Sequence, residues 1–129
     1  MDLLTIAKNI ADRVEAESAT QDVPVAVTVI DTHGNVVLTH RMTAAPAFSL
    51  ELAERKAYTS ALVGMRTADL VPLVQPGADL YPLLAVSGGR YSAIGGGVPL
   101  TNDGHVMAGV GVSGGTTEQD IAIVEAAMS

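Results

Sequence analysis

The feature that most constrains the fold is a pair of β-branched segments separated by a short turn. Pro24 precedes the first segment, residues 25–31, which is rich in valine. Residues 32–35 have the composition of a turn, and residues 36–42 return as a second apolar segment. β-Branched side chains suit a pleated, half-buried surface. The sequence therefore predicts a β-hairpin, and with it an antiparallel sheet.

Segments with helical spacing lie on both sides of this hairpin. Apolar residues recur every three or four positions over 3–19, and Asp2 is placed to cap that helix. A second helix is predicted over 49–64 with Ser49 as its cap. A shorter helix is predicted over 66–75, ended by the Pro-Gly pair that follows.

The C-terminal part of the chain predicts three strands and a closing helix. The strands are expected over 91–94, 98–100 and 105–112, with an Asn-Asp-Gly turn between the last two. Thr116 and Gln119 fit a capping box at the start of the helix. The order α-ββ-α(α)-βββ-α predicts an α+β fold with helices packed on an antiparallel sheet. No linker interrupts the chain, so residues 1–129 are predicted to form one domain.

The composition excludes several classes of protein. The absence of cysteine excludes disulfides and thiolate metal sites. A net charge of −7 and an aromatic content of 3% argue against a nucleic-acid partner. Charged residues interrupt the apolar positions near the N-terminus, so we expect no signal peptide, no membrane span and a cytoplasmic location.

Two features favour self-association as a dimer or larger homo-oligomer. Apolar residues make up 48% of a small domain, which leaves much apolar surface to cover. Ala53, Ala57, Ala61 and Gly64 also form a stripe of small residues on the second helix. Such a stripe allows close approach of another backbone, which is either a partner's or that of the chain's own sheet.

Residues 109–114 match the dinucleotide-binding pattern Gly-x-Gly-x-x-Gly, but too few residues follow to build a second strand. The alternative is a strand that needs small residues where a helix crosses it. The segment from Ser113 through Gly114 and Gly115 to Thr116 still places N–H groups and a hydroxyl at a helix N-terminus. That arrangement predicts a site for a small anionic ligand, a carboxylate or a phosphate.

A glycine run and a lysine are further candidates for ligand binding. The run that contains Gly96 and Gly97 is either a tight bend or a close approach to a planar ligand or partner subunit. Lys56 has no acidic residue three or four positions away, unlike its neighbour Arg55. It either extends to solvent or faces a ligand anion or an inter-subunit carboxylate. We predict that Lys56 and residues 113–116 converge on one pocket.

His40 is the candidate metal ligand. On a strand, its neighbours on the same face are Val36, Leu38 and Met42, all apolar. An imidazole in an apolar wall can ligate a metal or a haem iron, although a histidine at a strand end can also be exposed. The other two histidines lie at predicted turns and are expected to be solvated.

These segments together resemble the GlcG/HbpS-like (DUF336) family, which includes the C-terminal domain of PduO-type corrinoid adenosyltransferases. The resemblance covers nearly the whole chain. It is carried by residues 27–31 with Gly34 and Arg41, 56–61, 95–100 with Gly104, and 108–115 followed by Gln119 and Asp120. One departure is the segment 41–44, which lacks the acidic residue that usually follows the arginine in the family.

The resemblance implies a profilin-like fold with a five-stranded antiparallel sheet flanked by helices, and assembly into dimers or larger rings. It also implies a haem (tetrapyrrole)-binding module, with a role in haem or iron handling or in redox sensing. His40 would then bind the haem iron, and Lys56 with residues 113–116 would bind the propionates. Two alternatives stay open: an enzyme or accessory protein of a catabolic pathway that acts on a carboxylated metabolite, and a structural oligomer without a ligand.

Overall fold

The chain alternates helices and strands in the order that its sequence predicts, with one strand fewer. The computed structural model describes residues 2–129. The elements are α1 (Leu3–Gln21), β1 (Ala26–Asp31), β2 (Val36–Arg41), α2 (Ser49–Val63), α3 (Thr67–Leu70), β3 (Gly97–Asn102), β4 (His105–Ser113) and α4 (Thr117–Met128). Between α3 and β3 lie a 3₁₀ segment, Val71–Val74, and the segment Tyr81–Gly89, whose 3₁₀ turns are interrupted by non-helical dihedral angles at residues 86–88.

The sheet has four antiparallel strands in the order β2-β1-β4-β3. The predicted hairpin is confirmed, with Val27 opposite His40 in β2. On its other side β1 pairs with β4, which places Val29 opposite Val110. The central position of β1 and β4 means that both of their faces are available for burial by helices.

The predicted fifth strand, residues 91–94, is absent, and the expectation of a five-stranded sheet is wrong. Two backbone N–H groups of this segment donate to side chains instead of a neighbouring strand. Ser92 N–H donates to Thr59 Oγ1 at 2.8 Å, and Ile94 N–H donates to Ser92 Oγ at 3.3 Å. Because these side chains satisfy two of its N–H groups, the segment lies beside Thr59 of α2 without joining the sheet.

Helices cover both faces of the sheet. α2 packs on one face, and α1 and α4 pack together on the other. The alternation of side chains along β4 separates these layers, since Val110 and Val112 join the core under α1 and α4 while Gly109 and Gly111 meet α2. The main core includes Ala7, Ile10, Ala11, Val14, Val27, Val29, Ile123 and Val124.

The contact between α2 and β4 is a close backbone approach. A Cβ atom built on Gly109 would lie less than 3.0 Å from the carbonyl oxygen of Ala57, and one on Gly111 would lie as close to that of Ala53. The interpretation of the glycine pattern as a strand crossed by a helix is therefore confirmed. The small-residue stripe of α2 is buried on the chain's own sheet, with Ala53 and Ala57 at 0% exposure, so it is not free to meet a partner.

Two of the three helix caps that the sequence predicts are present in the structure. Asp2 caps α1, and Thr116 with Gln119 forms the predicted capping box of α4. The cap predicted at Ser49 is wrong, because Phe48 occupies that position with helical dihedral angles and no side-chain cap. The Ser49 hydroxyl is instead buried without a hydrogen-bond partner among the described residues.

The close approach generates a prediction for Gly111→Ala. The added methyl group meets backbone atoms that cannot rotate away, so we expect a loss of about 3 kcal/mol or more of unfolding free energy. Urea denaturation of the purified chain measures it. The control is Gly77→Ala, where nothing lies within 4 Å and only the left-handed φ opposes a side chain, at a cost of about 1–2 kcal/mol. Equal losses for the two variants would contradict the close approach of α2 to β4 at Gly111.

Candidate functional site

Lys56 is a charged residue that the fold buries completely. Its side chain projects from α2, and the whole residue is 0% exposed to solvent. Its Nζ donates to Val112 O in β4 at 2.8 Å and to Asp120 Oδ2 in α4 at 3.1 Å. One side chain therefore connects three elements. The alternative in which Lys56 extends to solvent is wrong, and the carboxylate that it meets belongs to its own chain.

The glycine run before β3 closes over this lysine. A Cβ on Gly96 would lie 2.7 Å from Lys56 Nζ and 2.7 Å from Val112 O. A Cβ on Gly97 would lie 2.6 Å from Lys56 O. Gly96 also accepts a hydrogen bond from Val112 N–H at 2.9 Å. The close approach expected at these glycines is thus made to α2 and β4 of the same chain, and a ligand role for Gly96 and Gly97 stays a prediction.

The turn before α4 meets the same ion pair. Gly115 N–H donates to Asp120 Oδ1 at 2.9 Å, so the two oxygens of this carboxylate bind the turn and Lys56. Thr116 N–H donates to Gln119 Oε1 at 2.8 Å. Lys56 and the turn that begins at Ser113 therefore meet at the Asp120 carboxylate of the same chain, and a ligand pocket lined by both stays a prediction. Two of the N–H groups predicted to bind an external anion are used by α4 itself.

Burial governs the electrostatics of the pair. Burial lowers the pKa of the Lys56 ammonium, and the neighbouring Asp120 carboxylate opposes that shift. Spacing along the chain did not predict this partner, since Asp120 lies 64 residues from Lys56. The family resemblance was the available signal, because Asp120 belongs to the segment that carries it.

His40 lies on β2, the edge strand, and its side chain is 47% exposed. Its Nδ1 lies 2.8 Å from Glu15 Oε1 of α1. The ring is therefore oriented by a carboxylate and accessible from outside. The structure thus shows the strand-end surface position, and iron ligation by His40 stays a prediction.

The apolar wall predicted around His40 is only partly present. Leu38 is buried in the core under α1 and α4, and Met42 packs against that core. Val36 lies on the other face, opposite Ile30, because the strand register shifts at a bulge between Val29 and Ile30. It is 47% exposed there, so its assignment as a neighbour of His40 is wrong.

A separate cleft of about 250 Å³ opens near the N-terminal half of α2. It is lined by Glu51, Glu54, Arg55, Ser87, Gly88 and Arg90. Beside it, the Arg90 guanidinium carbon lies 3.9 Å from the centre of the Tyr58 ring, and Tyr58 O–H donates to Ser87 Oγ at 3.4 Å. The hydrogen bond with Ser87 and the charge of Arg90 lower the pKa of Tyr58.

Residues 2–129 contain neither a cluster of metal-binding side chains nor a membrane-crossing helix. Nowhere in this range do three or more His, Cys, Asp or Glu side chains cluster to hold a metal ion. Within the same range no helix is both long and apolar enough to cross a membrane.

The fold and the buried ion pair define a small α+β domain with one four-stranded antiparallel sheet between two helical layers. A family model described as "Haem degrading protein HbpS-like" matches residues 4–129. The chain belongs to this HbpS-like family, as its sequence predicts.

Three relatives show how far the similarity extends. The chain is 42% identical over 118 residues to the corrinoid adenosyltransferase PduO of Salmonella typhimurium, covering 91% of this chain and 35% of PduO. The crystal structure of Klebsiella pneumoniae protein ORFY matches with a TM-score of 0.94 and 34% identity, over 98% of this chain and 88% of ORFY. A crystal structure of a PduOC:heme complex matches with a TM-score of 0.92 and 35% identity, over 99% and 92% of the two chains.

The ion pair generates a prediction for Lys56→Met. This change leaves the Asp120 carboxylate buried without its counter-charge, so we expect a loss of about 3–5 kcal/mol of unfolding free energy. In the double variant with Asp120→Asn, no unpaired charge remains, and at least half of that loss should be recovered. Urea denaturation of the single and double variants measures the coupling.

The control for this prediction is Arg66→Met. Like Lys56, Arg66 forms ion pairs: its partners are the carboxylates of Asp69 and Glu125. Unlike the Lys56 side chain, its side chain is 38% exposed. We expect its loss to cost only about 0–1 kcal/mol. A double variant that is no more stable than Lys56→Met would show that the lysine acts through its packing alone.

Proposed function

We propose that the chain is a haem-binding module of the HbpS-like family. The observation that carries the proposal is its similarity to the PduOC:heme complex, which has a TM-score of 0.92 over 99% of this chain. The family description also names haem. Haem, when bound, would supply an iron centre that exchanges electrons and binds small ligands.

His40 is the residue that best fits an iron ligand. The Glu15 carboxylate accepts a hydrogen bond from Nδ1–H, which leaves Nε2 of a neutral imidazole free to bind a metal. A carboxylate behind a ligating histidine is a common arrangement at metal sites. Within residues 2–129, the rings of His33 and His105 make no hydrogen bond that would orient them. Glu15 is therefore the feature that favours His40.

We infer that the porphyrin lies on an open surface of the chain. The cleft of about 250 Å³ is lined by charged side chains, which excludes it as an apolar slot for haem. Lys56 is enclosed and paired with Asp120, so it cannot reach a propionate at the surface. We infer that haem binds outside the sheet edge at His40, and that a second copy of the chain helps to cover it.

The alternative that acts on a carboxylated metabolite loses its main support. It relied on Lys56 and the N-terminus of α4 as anion-binding groups. Lys56 is engaged by Asp120, and two of the N–H groups at that N-terminus, those of Gly115 and Thr116, are engaged by Asp120 and Gln119. Haem binding uses a residue that the structure leaves accessible.

A hemin titration followed by absorbance tests the proposal. The wild-type chain should shift the Soret band away from that of free hemin, and His40→Ala should abolish the shift. Glu15→Gln should weaken hemin binding by about 10- to 100-fold, because the ring loses its orienting carboxylate.

His33→Ala is the matched control, since it removes an exposed histidine at a turn and should leave the shifted band intact. If the wild-type chain gives only the free-hemin spectrum, the proposed function is wrong. If His40→Ala keeps the wild-type band, haem binding stands and the ligand assignment is wrong.

Self-association is a separate prediction. The stripe on α2 no longer supports it, but large apolar side chains are exposed elsewhere. They include Phe48 at 60%, Val86 at 49%, Tyr81 at 48%, Ile94 at 46%, Leu80 at 44% and Leu73 at 42%. Most lie between residues 71 and 94 of the sequence, and exposed apolar surface is typical of an interface when it forms one patch. We expect light scattering at micromolar concentration to give at least the mass of a dimer; a monomer mass would contradict this.

A further inference from the structure

The cleft near the start of α2 has no part in the proposed haem site. Its lining contains two guanidinium groups, Arg55 and Arg90, and two carboxylates, Glu51 and Glu54. The formal charges of the wall therefore cancel, although the chain as a whole carries a net charge of −7. Opposite charges on one concave surface can recognise a ligand that carries both.

Backbone contacts hold the two guanidinium groups in place. Arg55 Nη1 donates to Gly89 O at 2.9 Å. Arg90 Nη2 donates to Gly34 O at 3.3 Å, and the same group lies over the ring of Tyr58. These contacts limit the rotamers of both side chains before any ligand arrives. A ligand that binds them loses less free energy to ordering the site.

The contacts between the arginines and the glutamates are weak. Arg55 Nη2 lies 3.4 Å from Glu51 Oε1, and Arg90 Nη2 lies 3.3 Å from Glu54 Oε1. Each is a single contact, and the glutamate side chains are 71% and 43% exposed. Exposed pairs of this kind contribute little to stability. Each guanidinium has five N–H donors, so a ligand can add bonds or replace these contacts.

Size and charge narrow the class of ligand. A cleft of about 250 Å³ lies just below the usual range of small-molecule sites, about 300–1,000 Å³. The net charge of the chain disfavours a ligand that is only anionic, and the two arginines disfavour one that is only cationic. A small molecule with one carboxylate and one ammonium group has no net charge, so neither of these two repulsions opposes its binding.

We propose that this cleft binds a small zwitterion of the α-amino acid class. Arg55 and Arg90 bind the carboxylate, and Glu51 and Glu54 bind the ammonium group. Gly88 lies at the same wall with nothing within 4 Å of its Cβ position, which leaves room for the ligand's side chain.

Two-dimensional ¹H–¹⁵N NMR of the full chain without haem tests this site. The common α-amino acids are added one at a time at millimolar concentration. At least one should shift the amide signals of Ser87, Gly88 and Arg90 saturably. Propionate and ethylamine, which carry the two charges separately, should bind at least about tenfold more weakly.

Charge-removing variants of the wall complete the test. Glu54→Gln should weaken amino-acid binding by about tenfold, since it removes one partner of the ammonium group. Glu125→Gln is the matched control, because its carboxylate is also 43% exposed and also pairs with an arginine, but lies outside the cleft. It should leave the affinity unchanged. Glu51→Gln provides a second variant of the wall.

Three results would overturn the proposal. They are no saturable shift with any amino acid, equal binding of propionate or ethylamine, and equal affinity in Glu54→Gln and Glu125→Gln. Because no haem is present, these outcomes do not depend on whether His40 binds iron.

Discussion

The structure depends on the close approach of α2 to β4. Gly109 and Gly111 allow the helix backbone to lie directly on the strand, where any Cβ would collide with carbonyl oxygens of Ala53 and Ala57. This contact sets the depth of α2 against the sheet, and therefore the depth of Lys56. With larger residues in β4, the helix would stand further away and the Lys56 ammonium could not reach Val112 O.

The ion pair of Lys56 and Asp120 connects the helical layers on the two faces of the sheet. The lysine starts on the α2 side of the sheet and ends on a carboxylate of α4, which packs on the other side. Burying two charges is costly, and their mutual attraction with the surrounding hydrogen bonds offsets the cost only when the geometry is good. Val112 O and Gly115 N–H supply those bonds. The same ion pair engages the buried lysine with a carboxylate of its own chain.

The groups accessible to ligands lie at the periphery, and each is held by a residue distant in sequence. Glu15 of α1 orients His40 of β2, and Gly34 and Gly89 position Arg90 and Arg55. The rigid interior therefore fixes side chains that themselves face solvent. This separation explains how one chain can present an accessible histidine and, on another surface, a cleft of balanced charge.

The sequence by itself determined the hairpin, the helices, the caps at Asp2 and Thr116 and the family, because each depends on local periodicity, turn chemistry or short motifs. Only the tertiary structure decided the partner of Lys56, the face of Val36 and the absence of a strand at 91–94. Asp120 lies on α4, on the other side of the sheet from α2. A bulge changes the register of Val36, and the Thr59 hydroxyl accepts the hydrogen bond from Ser92 N–H. Each of these three outcomes depends on contacts between residues that are distant in sequence. A local sequence pattern does not contain those contacts, and in the folded chain they override local preferences.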